Sequence, residues 1–287
     1  MRGFLIVNGF LQTEKFQRLY ALLKSAAHQQ GIELEIRTGD TLFNDIQSDK
    51  GQQDLPDFAL FWDKDIYLAK RLEALGIPLF NSAKTVEICD NKLLTALALI
   101  EQGIATPRTV FAPKTFEGVG YTNVNFLNNA ERLLGYPMVM KEACGSFGAQ
   151  VYLAQNRTQA LKILQKIGHK EFLMQEFIAE SRGKDIRVNV VGGEVVCAIL
   201  RENPNDFRSN ISGGGRASAY EPTEREKSVA IAACRAVGAD FAGVDILFGK
   251  DGPLVCEVNS NPHFASTLDC TGVDLSENIL RYIKEKI

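Results

Sequence analysis

Residues 244–259 read VDILFGKDGPLVCEVN, two apolar strands that flank a glycine-rich turn. A tight hairpin that pairs Phe248 with Leu254 puts Asp245 directly opposite Glu257. The two carboxylates then face each other at about 5 Å, an arrangement that destabilises a strand pair by itself. The pattern therefore indicates that these two acids are held together for a chemical purpose.

Asn259 adds a third oxygen ligand to the same face of the hairpin, because it lies two residues beyond Glu257. Oxygen ligands of this kind suit magnesium, which keeps several waters and is usually completed by substrate phosphates. A pair of solvated acids on an exposed sheet face is the alternative. The neighbouring residues favour the metal site, because they are apolar and face the other side of the strands: Val244, Ile246, Val255 and Val258.

A glycine-rich turn follows a strand that ends in a lysine at residues 141–148, KEACGSFG. Closely spaced glycines let backbone N–H groups approach phosphate oxygens, and the ammonium of Lys141 adds a point charge. The spacing differs from the Walker pattern GxxxxGK[ST], so it does not support a P-loop NTPase. An ordinary glycine turn would also explain the pattern.

Lys92 lies near the start of a helix that we predict to have Asp90 as its N-cap and to end at Gly103. At the N2 position the helix dipole disfavours a cation by about 0.3–1 kcal/mol. Such a charge needs either a neighbouring acid, which Asp90 could supply, or a bound anion. The sequence alone gives the two explanations equal weight.

A second group of phosphate-binding side chains follows a predicted strand that ends at Arg201. The run DFRSN at residues 206–210 adds a guanidinium, a hydroxyl and an amide, and guanidinium groups match the geometry of phosphate and carboxylate. Residues 213–216, GGGR, read as a flexible loop. An ordinary surface loop is the alternative interpretation of the whole segment.

The rest of the chain falls into two parts. Up to about residue 88, strands and helices alternate, which predicts a small parallel α/β domain. Its first turn, residues 8–11, lacks the GxGxxG spacing of a dinucleotide-binding unit. The second part is rich in strands and typical of an α+β fold, with a hairpin at Gly192-Gly193 and a helix opened by a capping box at Thr223.

Composition excludes several classes of protein. The chain has 287 residues, 45% of them hydrophobic and 23% charged, with a net charge of −3, so it is neither disordered nor a general nucleic-acid binder. No apolar run approaches the roughly 20 residues of a membrane span. The six cysteines form no CxxC pair, so we expect buried reduced thiols rather than disulfides or a zinc site. A cytoplasmic protein is expected.

Taken in order, these motifs resemble the ATP-grasp superfamily, and within it the RimK-type carboxylate–amine ligases. The resemblance covers about residue 75 to the end and rests on Lys92, Lys141 with its glycine turn, QEFI (175–178), DIR (185–187), DFRSN (206–210), GVD (243–245) and EVN (257–259). It implies an α/β N-terminal domain over residues 1–88 and an α+β ATP-grasp domain over 89–287. The lobes of that domain, at roughly 105–178 and 179–287, would clamp ATP between them.

The resemblance also implies a role for each site residue. The ATP phosphates would be bound by Lys92, Lys141, Gly145, Ser146, Gly148, Arg208, Ser209 and Asn210. The adenine hinge would be Gln175, Glu176, Phe177 and Ile178, and the ribose would be bound by Asp185. Two magnesium ions, or manganese in their place, would be coordinated by Asp245, Glu257 and Asn259. Arg201 would be catalytic, stabilising the oxygens of an acyl phosphate.

The implied reaction has two steps. A substrate carboxylate attacks the γ-phosphate of ATP to give an acyl phosphate and ADP, and an amine then displaces phosphate to form an amide. Such a reaction demands positioning and charge neutralisation more than covalent chemistry by the protein.

The implied partners are a carboxylate substrate, a peptide or small molecule, and an amino acid as the amine donor, with glutamate the leading candidate. The chain would form a homodimer or homotetramer and bind neither membrane nor nucleic acid. His263 either faces the acceptor pocket or is an ordinary loop histidine. The competing hypotheses are a small-molecule kinase with the same fold and a non-catalytic ATP-binding protein.

Overall fold

The N-terminal part of the chain forms a parallel sheet with the strand order β2-β1-β3-β4. The structure is a computed structural model that describes residues 1–45, 55–146 and 148–287. The elements of this unit are β1 (Arg2–Val7), α1 (Glu14–Gln29), β2 (Glu33–Thr38), α2 (Gly39–Asp45), β3 (Phe58–Trp62), α3 (Ile66–Ala74) and β4 (Leu79–Phe80). All of β3 is buried, as expected for a parallel strand that is covered on both faces. The predicted parallel α/β unit is confirmed.

A second sheet is antiparallel and has the order β5-β8-β6-β7. Its elements are β5 (Thr109–Phe111), α6 (Asn125–Leu134), β6 (Met138–Glu142), β7 (Val151–Ala154), α7 (Arg157–Ile167) and β8 (Phe172–Glu176). One face of the sheet packs against α6 and α7 in a core that includes Leu127, Met140 and Leu164. The sequence did not reveal β5, because three residues are too few to show a periodic pattern.

The third sheet is also antiparallel, with the order β11-β10-β9-β12-β13. Its strands are β9 (Lys184–Val191), β10 (Glu194–Glu202), β11 (Arg216–Tyr220), β12 (Phe241–Gly249) and β13 (Gly252–Asn259). The predicted hairpin at Gly192-Gly193 is confirmed, and both glycines have positive φ, 61° and 84°. The prediction of a loop over residues 213–216 was wrong at its end, because Arg216 begins β11 and pairs with Glu202.

The remaining helices are α4 (Ala83–Asp90), α5 (Lys92–Glu101), α8 (Glu224–Val237), α9 (Ala265–Thr271) and α10 (Leu275–Lys286). The capping box of α8 is confirmed: Thr223 accepts a hydrogen bond from the backbone N–H of Glu226, whose side chain accepts one from the backbone of Thr223. Helix α8 packs its small residues, Ala230, Ala233 and Cys234, against the third sheet.

The start of α5 differs from the prediction. Asp90 is the last residue of α4, and the N-cap of α5 is Asn91, whose side chain accepts hydrogen bonds from Leu93 and Leu94. Lys92 is therefore the first residue of the helix rather than its second. The sequence was misleading because aspartate and asparagine are equally good N-caps and stand next to each other here.

The hairpin of β12 and β13 has the predicted carboxylate pair but not the predicted turn. Phe248 pairs with Pro253 instead of Leu254, and the turn is correspondingly shorter. A β-bulge at Cys256 adds one residue to β13 and restores the register, so Asp245 does lie opposite Glu257.

The first sheet shares its core with the C-terminal helix. Leu275, Ile279, Leu280 and Ile283 of α10 pack in one cluster with Leu23 of α1 and with β1 and β3. Helix α4 runs across the domain boundary predicted at residue 88. The division into domains stays a prediction.

All six cysteines lie in the described part of the chain and are free thiols, of which Cys89 and Cys234 are buried and Cys144 is exposed. Burial was thus predicted correctly for only some of them. Within residues 1–45, 55–146 and 148–287, no helix is long and apolar enough to span a bilayer.

Candidate active site

Residues from all three sheets line one cavity of about 770 Å³. Its wall contains every candidate site residue of the sequence analysis: Lys92, Lys141, Gly145, Ser146, Gly148, Gln175, Glu176, Phe177, Ile178, Asp185, Arg201, Arg208, Ser209, Asn210, Asp245, Glu257 and Asn259. The structure therefore brings together groups that lie far apart in the sequence. The individual roles of these residues stay predictions.

The glycine turn is anchored to the start of α5. The backbone N–H of Lys92 donates to the carbonyl of Ala143 at 2.8 Å, and Nζ of Lys92 donates to the carbonyl of Gly145 at 3.1 Å. On the other side, Nζ of Lys64 donates to Oγ of Ser146 at 3.1 Å. Two ammonium groups thus flank the turn, one of them from the N-terminal unit.

The acid beside Lys92 is Glu257, and not Asp90, which was one of the two explanations that the sequence left open. Nζ of Lys92 lies 3.7 Å from Oε1 of Glu257, whereas the carboxylate of Asp90 contacts the ammonium of Lys64. Sequence reasoning looked for a local partner, but the pairing depends on how α5 packs near β13. Both ammonium groups remain beside the glycine turn.

A second loop, from the third sheet, closes over the same turn. Arg208 donates to the carbonyl of Gly148 at 2.7 Å and is held by the carboxylate of Asp206. Gly148 has a φ of 73°, and a Cβ there would lie only 2.5 Å from Oδ1 of Asn210. The turn therefore needs glycine at position 148 both for its backbone conformation and for the approach of the opposite loop.

Lys141, on β6, is buried and contacts the bulge of β13. Its Nζ lies 3.3 Å from Sγ of Cys256. Burial raises the pKa of the Cys256 thiol, although the charge of Lys141 opposes that rise. The bulge residue that restores the carboxylate pair thus also contacts the second lysine.

The end of β8 connects the second and third sheets. Nε2 of Gln175 donates to Oγ1 of Thr109 at 2.9 Å, and Oε1 of Glu176 accepts from the backbone N–H of Arg108 at 2.7 Å. Both side chains are thus engaged with the β5 region. The backbone N–H of Glu176 is engaged with the same region, because it donates to the carbonyl of Arg108 at 3.0 Å.

Asp185 and Arg201 form a buried bidentate ion pair. Nε and Nη2 of Arg201 donate to the two carboxylate oxygens of Asp185 at 2.7 and 2.6 Å. The two side chains are only 9% and 5% exposed. A ribose hydroxyl at Asp185 would have to share this carboxylate with Arg201.

Arg187 is a site residue to which sequence reasoning assigned no role. Its Nε and Nη2 donate to the carboxylate of Asp245 at 2.7 and 2.8 Å, and Nη2 of Arg201 lies 3.0 Å from the same carboxylate. Burial alone would raise the pKa of Asp245, but the two guanidinium groups lower it to about 2. Asp245 is therefore ionised, and the repulsion predicted between it and its neighbouring acid is compensated.

The signal for Arg187 was present but incomplete. It stands two residues after Asp185, so it lies on the same face of β9. It faces Asp245 because β9 pairs with β12. The local sequence does not show which strands are neighbours in the sheet.

The donor set fits a hard cation such as magnesium. Nδ2 of Asn259 donates to the carbonyl of Gly243 at 3.2 Å, which leaves its Oδ1 available, and the side chain of Glu257 is 31% exposed. Asp245 keeps lone pairs beyond those used by the arginines. The described residues contain no cluster of three or more His, Cys, Asp or Glu, so Asn259 and ligand oxygens would have to complete the site.

The far end of the cavity lies against the N-terminal unit and is rich in cations. Lys15 and Phe16 of α1 line it together with His263, which packs edge-on against Phe16 at 6.0 Å. Burial, with smaller contributions from the nearby charges of Lys15 and Arg187, lowers the pKa of His263 to about 4. His263 is neutral at pH 7 and faces the cavity.

Residues 89–283, more than half of the chain, match the family model of the RimK-like ATP-grasp domain. The chain belongs to the RimK-like ATP-grasp family. The resemblance stated from the motifs is confirmed. Membership in this family, together with the relatives below, places the chain among the ATP-dependent ligases that form carbon–nitrogen bonds.

Relatives of this RimK-like chain include named glutamate ligases. A probable alpha-L-glutamate ligase of Citrobacter koseri is 36% identical over 218 residues, which are 75% of this chain and 70% of the relative. The ribosomal protein bS6–L-glutamate ligase of Escherichia fergusonii matches with the same values. A probable alpha-L-glutamate ligase of Parasynechococcus marenigrum is 35% identical over 223 residues, and the chain spans only 46% of its length.

Solved structures confirm the ATP-grasp fold. The D-alanine–D-alanine ligase from Bacillus anthracis, complexed with ATP, has a TM-score of 0.76 at 21% identity and covers 99% of this chain and 96% of its own. A RimK domain protein from Sphaerobacter thermophilus has a TM-score of 0.74 at 19% identity, with 98% and 99% covered. At these identities the likeness concerns the fold alone.

Proposed function

We propose that this RimK-like protein uses ATP and magnesium to join a carboxylate to the amine of an amino acid through an acyl phosphate. Glutamate is the leading candidate for the amine donor, and a peptide or a small molecule for the acceptor. The named relatives support glutamate. The observation that carries the proposal is one cavity whose wall contains lysines, hard oxygen ligands and three arginines.

The residues of the cavity would divide the work by charge. Lys92, Lys141 and Arg208 would neutralise and orient the triphosphate, while N–H groups of the glycine turn would bind its oxygens. Glu257 and Asn259, with the remaining lone pairs of Asp245, would hold magnesium or manganese. A bound metal ion would neutralise the negative charge that develops on the phosphate groups during transfer.

Bond changes in the two steps would balance without a nucleophile from the protein. A carboxylate oxygen of the acceptor attacks the γ-phosphorus, the bond to the β-phosphate oxygen breaks, and ADP leaves. The amine nitrogen then attacks the acyl carbon, the bond to the phosphate oxygen breaks, and phosphate leaves while the amine loses a proton. Arg201 would stabilise the oxygens of the acyl phosphate, with Asp185 and Asp245 fixing its orientation.

The test is to incubate the protein with ATP, magnesium, single amino acids and a library of carboxylate metabolites and peptides, and to follow phosphate release and product mass together. We expect phosphate release that requires both an acid and an amine, with a mass gain equal to the amino acid minus water. A stable phosphorylated alcohol would instead establish a kinase and end the proposal.

A variant pair tests the metal site within the same assay. Glu257→Gln keeps the volume of the side chain but removes a charge beside Lys92, and we expect at least about a hundredfold loss of turnover. Glu221→Gln is the control, because Glu221 is 88% exposed and does not line the cavity. Turnover like that of the wild type in Glu257→Gln would exclude Glu257 as a metal ligand.

A further inference from the structure

The cation-rich end of the cavity, next to the N-terminal unit, has no role in the binding of ATP proposed above. Lys15 from α1, Arg187 from β9 and His263 from the segment before α9 line this end. After burial, the charge of Arg187 is the next cause that lowers the pKa of Lys15, and it also lowers that of His263. The three groups therefore share one electrostatic environment.

Arg187 has donors to spare in this environment. A guanidinium carries five N–H groups, and Arg187 uses Nε and Nη2 for the carboxylate of Asp245. Within the described residues its Nη1 donates to no acceptor, and this atom is accessible to solvent. The side chain as a whole is only 14% exposed, so Nη1 reaches a nearly enclosed space on the cavity wall.

The orientation of Arg187 is fixed before any ligand arrives. Its Nε and Nη2 are held side-on by Asp245, and its Cδ packs where a Cβ at position 243 would come within 3.2 Å. Gly243 is thus part of the surface on which the guanidinium rests. A guanidinium held in this way presents its remaining edge to one place, which favours recognition of a planar carboxylate.

The surroundings of this edge are partly apolar. Leu11, Phe16 and Trp62 also line the cavity, and Phe16 packs against His263 with a ring separation of 6.0 Å. Trp62 stacks on Phe241 with a ring separation of 5.5 Å. A carboxylate on a short carbon chain is complementary to this combination of an anchored guanidinium and apolar side chains. An amino acid meets this description, because its carboxylate is attached to a short carbon chain.

We propose that Arg187, with Lys15 beside it, binds a carboxylate of the amine donor that takes no part in the reaction. This inference rests on the proposed function, because it assigns a part of the same site. The amine donor would be an acidic amino acid, L-glutamate in the test below. Arg187 would be a specificity-determining residue, and Asp245 would hold it in place.

The experiment compares L-glutamate with L-glutamine and L-isoglutamine, in which one carboxylate or the other is an amide. Binding to the protein loaded with magnesium and a non-hydrolysable ATP analogue is followed by the fluorescence of Trp62, which is the single tryptophan and lines the cavity. We expect L-glutamate to bind and at least one amide to bind at least tenfold more weakly. Failure of L-glutamate to bind, or equal binding of all three, overturns the proposal.

Two variants separate carboxylate binding from support of Asp245. Arg187→Lys and Lys15→Met should each raise the dissociation constant and KM of L-glutamate at least fivefold. For Lys15→Met the affinity for the ATP analogue should stay within about twofold, whereas Arg187→Lys, which also weakens the support of Asp245, should weaken L-glutamate at least fivefold more than the ATP analogue. Arg157→Gln is the control, since Arg157 forms an ion pair with Glu131 outside the cavity. If both variants weaken the ATP analogue as much as L-glutamate, Arg187 only supports the metal ligand and the inference is wrong.

The two proposals can fail separately. If L-glutamate binds in a manner that depends on Arg187 but no amide product forms, the proposed ligase reaction is refuted and the proposed carboxylate site is supported. If amide forms and neither variant changes the KM for L-glutamate, the proposed reaction is supported and the proposed carboxylate site is refuted.

Discussion

Replacing Arg201 by methionine removes a cation from a cluster in which it balances two buried carboxylates. Asp185 would lose both of its hydrogen bonds, at 2.7 and 2.6 Å, and Asp245 would lose one contact at 3.0 Å while keeping Arg187. Removing one partner of a buried ion pair typically costs about 3–5 kcal/mol, because a charge is left without compensation. We expect Arg201→Met to lower the free energy of unfolding by that amount at pH 7.

The assay is urea unfolding followed by the fluorescence of Trp62, which contacts Phe241 and Phe264 and so reports on packing between the first and third sheets. Arg18→Met is the matched control. Arg18 also forms a bidentate pair, with Asp269, but the two side chains are 50% and 53% exposed. We expect little measurable change for this control, because water screens the pair.

A double variant, Asp185→Leu with Arg201→Met, completes the test. Two apolar side chains need no counter-charge, so the double variant should recover most of the lost stability and lie within about 2 kcal/mol of the wild type. A cost below about 1 kcal/mol for Arg201→Met, or a double variant no more stable than the single one, would refute the argument from uncompensated charge.

Three further predictions concern other parts of the molecule. Gly148→Ala should raise the KM for ATP at least about tenfold, because its Cβ would meet Asn210; Gly168→Ala, with a φ of 66° and open space around it, should cost about 1 kcal/mol of stability and leave that KM unchanged. His263 has a folded pKa of about 4, lowered by burial, so the unfolded chain binds more protons as the pH falls from 7 to 5. Over that range the free energy of unfolding of the wild type should therefore fall by roughly 1 kcal/mol more than that of His263→Gln, after allowance for solvent screening. Equal decreases in the two proteins would contradict this prediction. Thr223→Ala should cost about 1 kcal/mol in urea unfolding through its cap and leave turnover intact.

The sequence predicted what depends on local chemistry. The glycine pair at 192–193 and the capping box at Thr223 were found because each is determined by a few adjacent residues. The carboxylate pair Asp245 and Glu257 was placed correctly even though the assumed turn was wrong. Two errors cancelled there, because the shorter turn is offset by the bulge at Cys256. Nothing in the sequence marks that bulge, since cysteine fits a regular strand equally well.

What the sequence could not supply is the partner of each charge. For Lys92 the sequence offered either Asp90, its near neighbour, or a bound anion, and the acid beside it in the structure is Glu257. Arg187 was not matched with Asp245, because the pairing requires β9 to lie beside β12. The charged side chains of this cavity pair with residues of other strands and helices. Which strands and helices lie side by side is determined only when the whole chain packs.

The packing of α10 against α1 has a consequence for synthesis. The ribosome releases the chain from its N-terminus, so the strands of the first sheet and α1 emerge long before residues 275–283. Until α10 emerges, the apolar face that it covers, which includes Leu23, remains open to water. We therefore expect the nascent first sheet to stay partly unfolded or to be held by a chaperone, and the sheet to close only after residues 275–283 have left the ribosome.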